Sequence, residues 1–112
     1  MLSKYPAWRL HKKMTTAAST RAVNAFKDSL PSWVPKPTCY LTAIGEEMLE
    51  WDWDGGYIEI TFDDYGVGEL YASNKGQGVD IKENYVHKFH GLTDGVMEIL
   101  GQFFYAFNTE DR

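Results

Sequence analysis

The sequence has a single cysteine, Cys39, among 112 residues, so no disulfide bond can form within one chain. This cysteine usage is typical of a reducing compartment. No apolar run approaches the roughly 20 residues that a membrane-spanning helix requires. Residues 1–14 are basic but lack the apolar segment and small-residue cleavage site of a signal peptide. We therefore expect a cytoplasmic protein that does not associate with a membrane.

The sequence also lacks the motifs that usually identify an enzyme or a cofactor site. The segment 74–78 contains one lysine and two glycines, but it has neither the spacing nor the following helix of a phosphate-binding loop. His87 and His90 are three residues apart, and Gly91 directly after them disfavours a helix that would present both to a metal. We expect no cofactor, no metal site and no catalytic residue.

Basic residues are absent from one long stretch of the chain. Residues 46–69 hold nine acidic side chains and no lysine or arginine, whereas residues 1–45 hold seven basic side chains and one acidic. An acidic segment repels phosphate, so we expect no direct binding of nucleic acid. The same segment suits a basic surface on another protein.

The stretch 48–62 is the centre of the predicted fold, because its apolar and polar residues alternate as in a β-hairpin with the turn at 54–56. One face of the hairpin is apolar and comprises Leu49, Trp51, Trp53, Ile58, Ile60 and Phe62. The other face is polar and comprises Glu50, Asp52, Asp54, Glu59 and Thr61. The alternation predicts that the first face is buried and the second is in water.

Two registers of this hairpin fit the pattern. A turn at 55–56 pairs Asp52 with Glu59, and a turn at 54–55 pairs Glu50 with Glu59. Either register places Glu59 opposite another acid, which costs from a few tenths to about 1 kcal/mol. Carboxylates on alternate strand residues are about 6.6 Å apart, which is similar to phosphate spacing and makes mimicry of nucleic acid feasible.

Two helices are expected, over residues 15–30 and 93–107. The first follows a threonine that can act as N-cap and stops at Pro31. The second begins at Thr93 and carries an apolar stripe with helical spacing. Gly101 inside the second helix costs up to about 1 kcal/mol relative to alanine, and we expect close packing to require it.

The whole chain, 1–112, is expected to be one α+β domain with a four- to five-stranded antiparallel meander and both helices on one sheet face. Residues 1–14 are predicted to be an irregular basic arm, 31–37 a proline-rich connector and 108–112 a polar tail. Further strands are predicted at 38–44, 67–73 and 79–86. Cys39 is placed on the inner face of the first of these, as a buried and unreactive thiol.

The stretch 19–71 resembles a widespread class of small uncharacterised bacterial and phage proteins. The similarity consists of a helix, then Leu30-Pro31, then a short strand followed by Leu49-Glu50-Trp51 and Gly56–Ile60. The resemblance implies a bacterial or phage accessory protein. It implies no site residues and no particular activity.

The leading hypothesis is a non-catalytic protein-binding factor, such as an inhibitor, antitoxin, immunity or phage anti-defence protein. It would dock the acidic hairpin on a basic surface of a partner, for example the nucleic-acid-binding site of a host protein. The candidate contact residues are the hairpin acids, the adjoining turn and two tyrosines: Glu50, Asp52, Asp54, Tyr57, Glu59, Asp63, Asp64 and Tyr65.

The sequence leaves two alternatives to a protein-binding factor. The hairpin acids Glu50, Asp52 and Asp54, followed by Gly55, match the first half of a calcium loop, so the first alternative is a small metal-binding protein or metal-dependent enzyme that uses the hairpin carboxylates. However, Thr61 stands where such a loop needs its closing acid. The second alternative is a structural or virion subunit, including a homodimer.

Overall fold

The computed structural model describes residues 16–42, 44–74 and 82–105, and its fold is α+β. Five strands form one antiparallel sheet in which the spatial order follows the chain order. They are β1 Thr38–Leu41, β2 Glu47–Trp53, β3 Gly56–Phe62, β4 Gly68–Ser73 and β5 Glu83–Phe89. The helices are α1 (Ala17–Ser29) and α2 (Asp94–Leu100), and α2 continues directly into a π-helix, Gly101–Tyr105. The predicted fold class is confirmed.

The helices and one face of the sheet enclose the core. Its buried side chains come from alternate strand residues and from the apolar stripes of both helices, and they include Val23, Phe26, Leu49, Trp51, Ile58, Ile60, Phe62, Leu70, Val96, Leu100 and Phe104. We call this the inner face of the sheet. The period-two pattern of β2 and β3 therefore predicts correctly which side chains are buried.

Helix α1 begins at Thr16, whose hydroxyl accepts a hydrogen bond from the backbone N–H of Ser19. The same hydroxyl donates to the backbone carbonyl of Asp64 in the β3–β4 turn. Gly66 in that turn has a φ of +82°, and a Cβ there would lie 3.0 Å from the carbonyl oxygen of Ala18. The turn is thus held against the first turn of α1.

The hairpin of β2 and β3 has the register that places the turn at 54–55. Trp51 pairs with Ile58, and Glu50 pairs with Glu59. A two-residue turn closes this register, and it is a common connection between paired antiparallel strands. The predicted opposition of two acids is therefore real, and it involves Glu50 rather than Asp52.

Three local predictions need correction. Cys39 is exposed, not buried, because β1 is the edge strand and lies beyond the core. The sulfur of Cys39 lies 3.6 Å from the amine of Lys27. Among the described residues, no atom outside the chain neighbours and the backbone of its own helix lies within 4 Å of the position that a Cβ would take at Gly101, so close packing does not explain that glycine. Strand β5 spans Glu83–Phe89, later in the chain than the predicted range 79–86, whose end the pattern left open as far as His90-Gly91.

The second helix changes to π-helical geometry where a continuous α-helix was predicted. A π-helix has more residues in each turn, so adjacent side chains are separated by a smaller angle. Phe103 and Phe104 both pack on Trp53, with ring centroids 5.9 and 5.0 Å away. The wider turn lets both neighbours reach the same indole.

Several predicted segments lie outside the described residues: the arm 1–14, the first part of the predicted strand 79–86, and the tail 108–112. Within the described parts of the chain, no helix has both the length and the apolar character needed to span a bilayer.

Candidate partner-binding face

The face of the sheet opposite the helices carries acids and aromatic rings. Its outward side chains come from all five strands, and we call the following set the tyrosine–acid face: Tyr40, Glu50, Asp52, Tyr57, Glu59, Glu69, Tyr71, Glu83, Tyr85 and His87. Lys36 and Lys88 border it near two diagonally opposed corners, beside Asp52 and Glu69 respectively. The centre of the face is therefore negative.

Two carboxylates meet at that centre. Glu50 and Glu59 are direct cross-strand partners, and the hydroxyl of Tyr57 lies 2.9 Å from Oε2 of Glu50 and 2.8 Å from Oε1 of Glu59. The hydroxyl of Tyr40 donates to the other oxygen of Glu50, at 2.9 Å. A phenol has one hydrogen to donate, so Tyr57 serves one of its two carboxylates at a time.

Within the ranges that the structure describes, the hydrogen bonds to Glu50 and Glu59 come from tyrosine hydroxyls, and neither carboxylate forms an ion pair with a lysine or arginine. Two like charges in direct opposition weaken a sheet. The tyrosine hydroxyls orient these carboxylates without neutralising them.

A row of aromatic rings runs beside the carboxylates. The ring centroids of Tyr57 and Tyr71 are 6.2 Å apart, and those of Tyr71 and Tyr85 are 5.1 Å apart. His87 stacks on Tyr85 with an interplanar angle of 4°. The hydroxyl of Tyr71 donates to Oε2 of Glu83, at 2.7 Å. Rings held in this way offer a flat contact surface with little conformational entropy left to lose.

The tyrosine hydroxyls keep their protons over a wide pH range. Burial raises the pKa of Tyr57 far above its ordinary value, and the hydrogen bonds to Glu59 and Glu50 raise it further. The hydrogen bond to Glu50 raises the pKa of Tyr40, and the one to Glu83 raises that of Tyr71. The face therefore keeps neutral donors beside its carboxylates at physiological pH.

A cleft of about 270 Å³ opens at one end of the face, where β2 extends past β1. It is lined mainly by rings and the connector, with two acids and a lysine: Pro35, Lys36, Thr38, Glu50, Trp51, Asp52, Trp53 and Phe104. The indole N–H of Trp51 donates to the carbonyl of Pro35, at 2.7 Å. This bond fixes the connector against the sheet beside the acids.

The structure brings together four of the eight residues predicted to bind a partner. Glu50, Asp52, Tyr57 and Glu59 share the tyrosine–acid face. Asp54 lies in the β2–β3 turn at one end of the hairpin. The other three predicted residues lie in the β3–β4 turn, at the opposite end of β3.

The residues of that second turn differ in their roles. The carboxylate of Asp63 accepts hydrogen bonds from the backbone N–H groups of Tyr65 and Val67, at 2.9 and 3.0 Å, so it shapes the turn. Asp64 is tied to α1 through its backbone carbonyl. Tyr65 is 84% exposed and is the member of this group best placed for an external contact.

Sequence analysis missed the half of the face that lies on β4 and β5. The alternation in β4 points Glu69 and Tyr71 outward, and the alternation in β5 does the same for Glu83 and Tyr85. This period-two signal is present in the sequence, but the dense run of acids in the hairpin is the stronger indication of a binding site.

The described residues contain no group of three or more His, Cys, Asp or Glu side chains arranged to hold a metal ion. The first three positions of the supposed calcium loop, Glu50, Asp52 and Asp54, lie on an extended strand and its turn. An extended backbone spaces alternate ligands about 6.6 Å apart instead of wrapping them around one ion.

Comparison of the chain with protein-family models, with curated proteins and with solved structures finds no match. The resemblance of the stretch 19–71 to small bacterial and phage proteins remains a prediction, and the geometry of the tyrosine–acid face carries the functional argument.

Proposed function

We propose that this chain is a non-catalytic protein-binding factor that docks its tyrosine–acid face on a basic surface of another protein. The observation that carries the proposal is the direct opposition of Glu50 and Glu59 at the centre of that face. Both carboxylates are held by tyrosine hydroxyls, and among the described residues neither is paired with a lysine or arginine.

A partner's cation would relieve the repulsion between these two carboxylates. In the free protein the like charges are destabilising. A guanidinium or ammonium group placed between Glu50 and Glu59 would form charge-assisted hydrogen bonds with both. The free energy of binding therefore includes relief of the repulsion between Glu50 and Glu59. Long-range attraction between the acidic face and a basic partner would also raise the association rate.

The aromatic rings provide the second part of the contact. Tyr40 and Tyr85 are 45% and 55% exposed and flank the acids on either side. An arginine or lysine stacked on such a ring gains a cation–π interaction. Tyr57 has a different role, because its hydroxyl orients Glu50 and Glu59 and its ring is only half-buried between its neighbours.

The partner class follows from the charge and spacing of the face. A basic protein surface matches it, and the nucleic-acid-binding site of a bacterial or host protein is one such surface. An inhibitor, antitoxin, immunity protein or phage anti-defence protein with this face would act by covering such a site. We propose that the protein acts in the cytoplasm in one of these roles.

The experiment compares two charge-matched variants as bait in a bacterial lysate. Glu50→Gln combined with Glu59→Gln removes two charges from the centre of the face, whereas Asp28→Asn combined with Glu98→Gln removes two from exposed helix positions. We expect a captured protein that the wild type and the helix variant retain and that the face variant and high salt release. With the purified partner, the face variant should lower the association rate and its salt dependence.

Thermal unfolding of both variants checks that the fold is intact. If the captured proteins are the same for both variants, or if binding of the purified partner is unchanged by the face variant, the proposal is wrong.

A further inference from the structure

The ring of Tyr40 differs from the other tyrosine rings of the tyrosine–acid face. The rings of Tyr57, Tyr71 and Tyr85 pack against one another in a row, with centroids 6.2 and 5.1 Å apart. Among the described residues, no aromatic ring packs against Tyr40, which is 45% exposed. Tyr40 therefore presents an open aromatic surface at the β1 end of the face.

The hydroxyl of Tyr40 places this ring beside the two central carboxylates. It donates to Oε1 of Glu50, at 2.9 Å. The hydroxyl of Tyr57 lies against Oε2 of Glu50 and Oε1 of Glu59. In the described part of the chain, Oε2 of Glu59 accepts no hydrogen bond. A cation between the two glutamates would thus find an available acceptor on β3 and an open ring on β1.

Neither of the two lysines that border the face holds that position. Lys36 lines the neighbouring cleft with Glu50 and Asp52, yet among the described residues its amine forms no ion pair with Glu50 or Glu59. Lys88 lies at the other corner, beside Glu69. The place between the two glutamates therefore suits a cation that a partner supplies.

A guanidinium group fits this combination better than an ammonium group. It is planar, it directs five N–H donors outward in its own plane, and its flat surface stacks on aromatic rings. It can therefore donate to carboxylates and cover a ring at the same time. An ammonium group is compact and strongly hydrated, and it has no flat surface to place on a ring.

We propose that Tyr40 makes the tyrosine–acid face selective for arginine over lysine on the partner's basic surface. The arginine side chain donates to Glu50 and Glu59 and lies on the ring of Tyr40. The two glutamates supply the charge, and Tyr40 determines the specificity. This inference rests on the proposed function, because it names the partner residue that the face takes.

A titration of the purified chain with two short peptides tests the selectivity. Capped tri-arginine and capped tri-lysine carry the same charge, and NMR shifts of the backbone amides report both the dissociation constant and the residues contacted. At low salt, where screening is weak, we expect tri-arginine to bind about twofold to fivefold more tightly, which is the range of an exposed cation–π contact. The largest shifts should fall at Tyr40, Glu50 and Glu59.

Two substitutions of Tyr40 separate the role of its ring from that of its hydroxyl. Tyr40→Leu removes the ring, so the two peptides should bind this variant equally. Tyr40→Phe keeps the ring and should retain the preference for tri-arginine, while the lost hydrogen bond to Glu50 affects both peptides alike. Thermal unfolding checks that both variants are folded.

The results separate this inference from the proposed function. Glu50→Gln combined with Glu59→Gln should weaken both peptides. Equal binding of both peptides to the wild type, with both dependent on these acids, would overturn the selectivity and leave the proposed function standing. A preference for tri-arginine that survives Tyr40→Leu would overturn the role of Tyr40. Peptide binding that is absent from the wild type, or unchanged by the double variant, would contradict both.

Discussion

The hydroxyl of Tyr57 lies 2.8 Å from the carboxylate of Glu59 on its own strand and 2.9 Å from that of Glu50 on the neighbouring strand. One donor thus stands between two acids that the sheet register forces together. The arrangement links stability to binding, because the same three groups set the repulsion in the free protein and the charge that a partner would meet.

Neutralising one of these acids should stabilise the free protein. We expect Glu59→Gln to raise the free energy of unfolding by a few tenths of a kcal/mol, since the like charge opposite Glu50 is removed. Urea unfolding measures the change. Glu69→Gln is the control, because Glu69 opposes Thr61 rather than an acid and should give no gain. A Glu59→Gln variant less stable than wild type would show that the repulsion is not significant.

Removing the bridging donor should have the opposite effect. We expect Tyr57→Phe to lower the free energy of unfolding by about 1 kcal/mol, because the hydrogen bond that this hydroxyl donates to a charged carboxylate is lost at a half-buried site. Tyr85→Phe is the matched control, since its hydroxyl forms no hydrogen bond with the described residues. Equal stability of the two variants would show that the hydroxyl of Tyr57 contributes no more to the free energy of unfolding than the hydroxyl of Tyr85.

The raised pKa of Tyr57 predicts how stability depends on pH at the alkaline end. A tyrosine in the unfolded chain ionises near pH 10, whereas Tyr57 in the folded protein keeps its proton to higher pH. Its contribution to stability is therefore complete below about pH 10 and is lost as the pH rises above that value. We expect Tyr57→Phe to flatten this alkaline decline, and urea unfolding at a series of pH values would detect it. An unchanged slope would contradict the assignment.

Two glycines should respond oppositely to alanine. A Cβ at Gly68 would lie 2.6 Å from the ring of Phe89, so Gly68→Ala should lower the free energy of unfolding by about 1–3 kcal/mol. Gly101 has helical backbone angles and open space around it, so Gly101→Ala should raise the free energy of unfolding by about 0.5–1 kcal/mol. Thermal or urea unfolding of the two variants checks both signs.

Glu47, which lies against α1, should also stabilise the folded protein. Glu47 accepts hydrogen bonds from the hydroxyls of Ser19 and Thr20, each at 3.1 Å, and Ser19 is 1% exposed. We expect Glu47→Ala to lower the free energy of unfolding by about 1–3 kcal/mol, because the buried hydroxyl of Ser19 loses its acceptor. Glu47→Gln keeps an oxygen there and should cost less. Similar losses for both variants would point to charge rather than hydrogen bonding.

Much of the fold can be predicted from local sequence patterns, namely the alternation of apolar and polar residues and the capping residues of the helices. The alternation in β2 and β3 predicts the buried face, because one face of the sheet must exclude water while the other meets it. It also narrows the register to two choices, and the choice between them depends on turn geometry that composition alone does not determine. One of Thr15 and Thr16, together with Thr93, is predicted as an N-cap for the same local reason, and the hydroxyls of Thr16 and Thr93 accept the capping hydrogen bonds.

The wrong prediction for Cys39 arises because the position of a strand in the sheet, and not its alternation alone, decides which of its side chains are buried. Cys39 alternates correctly with its neighbours, but β1 lies at the edge, where an inward side chain can still be exposed. The outward residues of β4 and β5 join the hairpin acids because the meander, whose order was predicted, places β4 beside β3 and β5 beside β4. The exact pairs, Glu59 with Tyr71 and Tyr71 with Tyr85, depend on register. Sequence patterns thus predict the faces of a strand more reliably than its register and its exposure.

The left-handed residue Lys88 also limits how far this sheet can grow. Sheets commonly protect an edge with a bulge or a charged side chain. In β5 the register shifts opposite Gly68 and Leu70, which interrupts the row of backbone groups that a further strand would need, and Lys88 adds a charge there. The positive φ of a single residue thus helps to keep this edge from serving as a template for other chains.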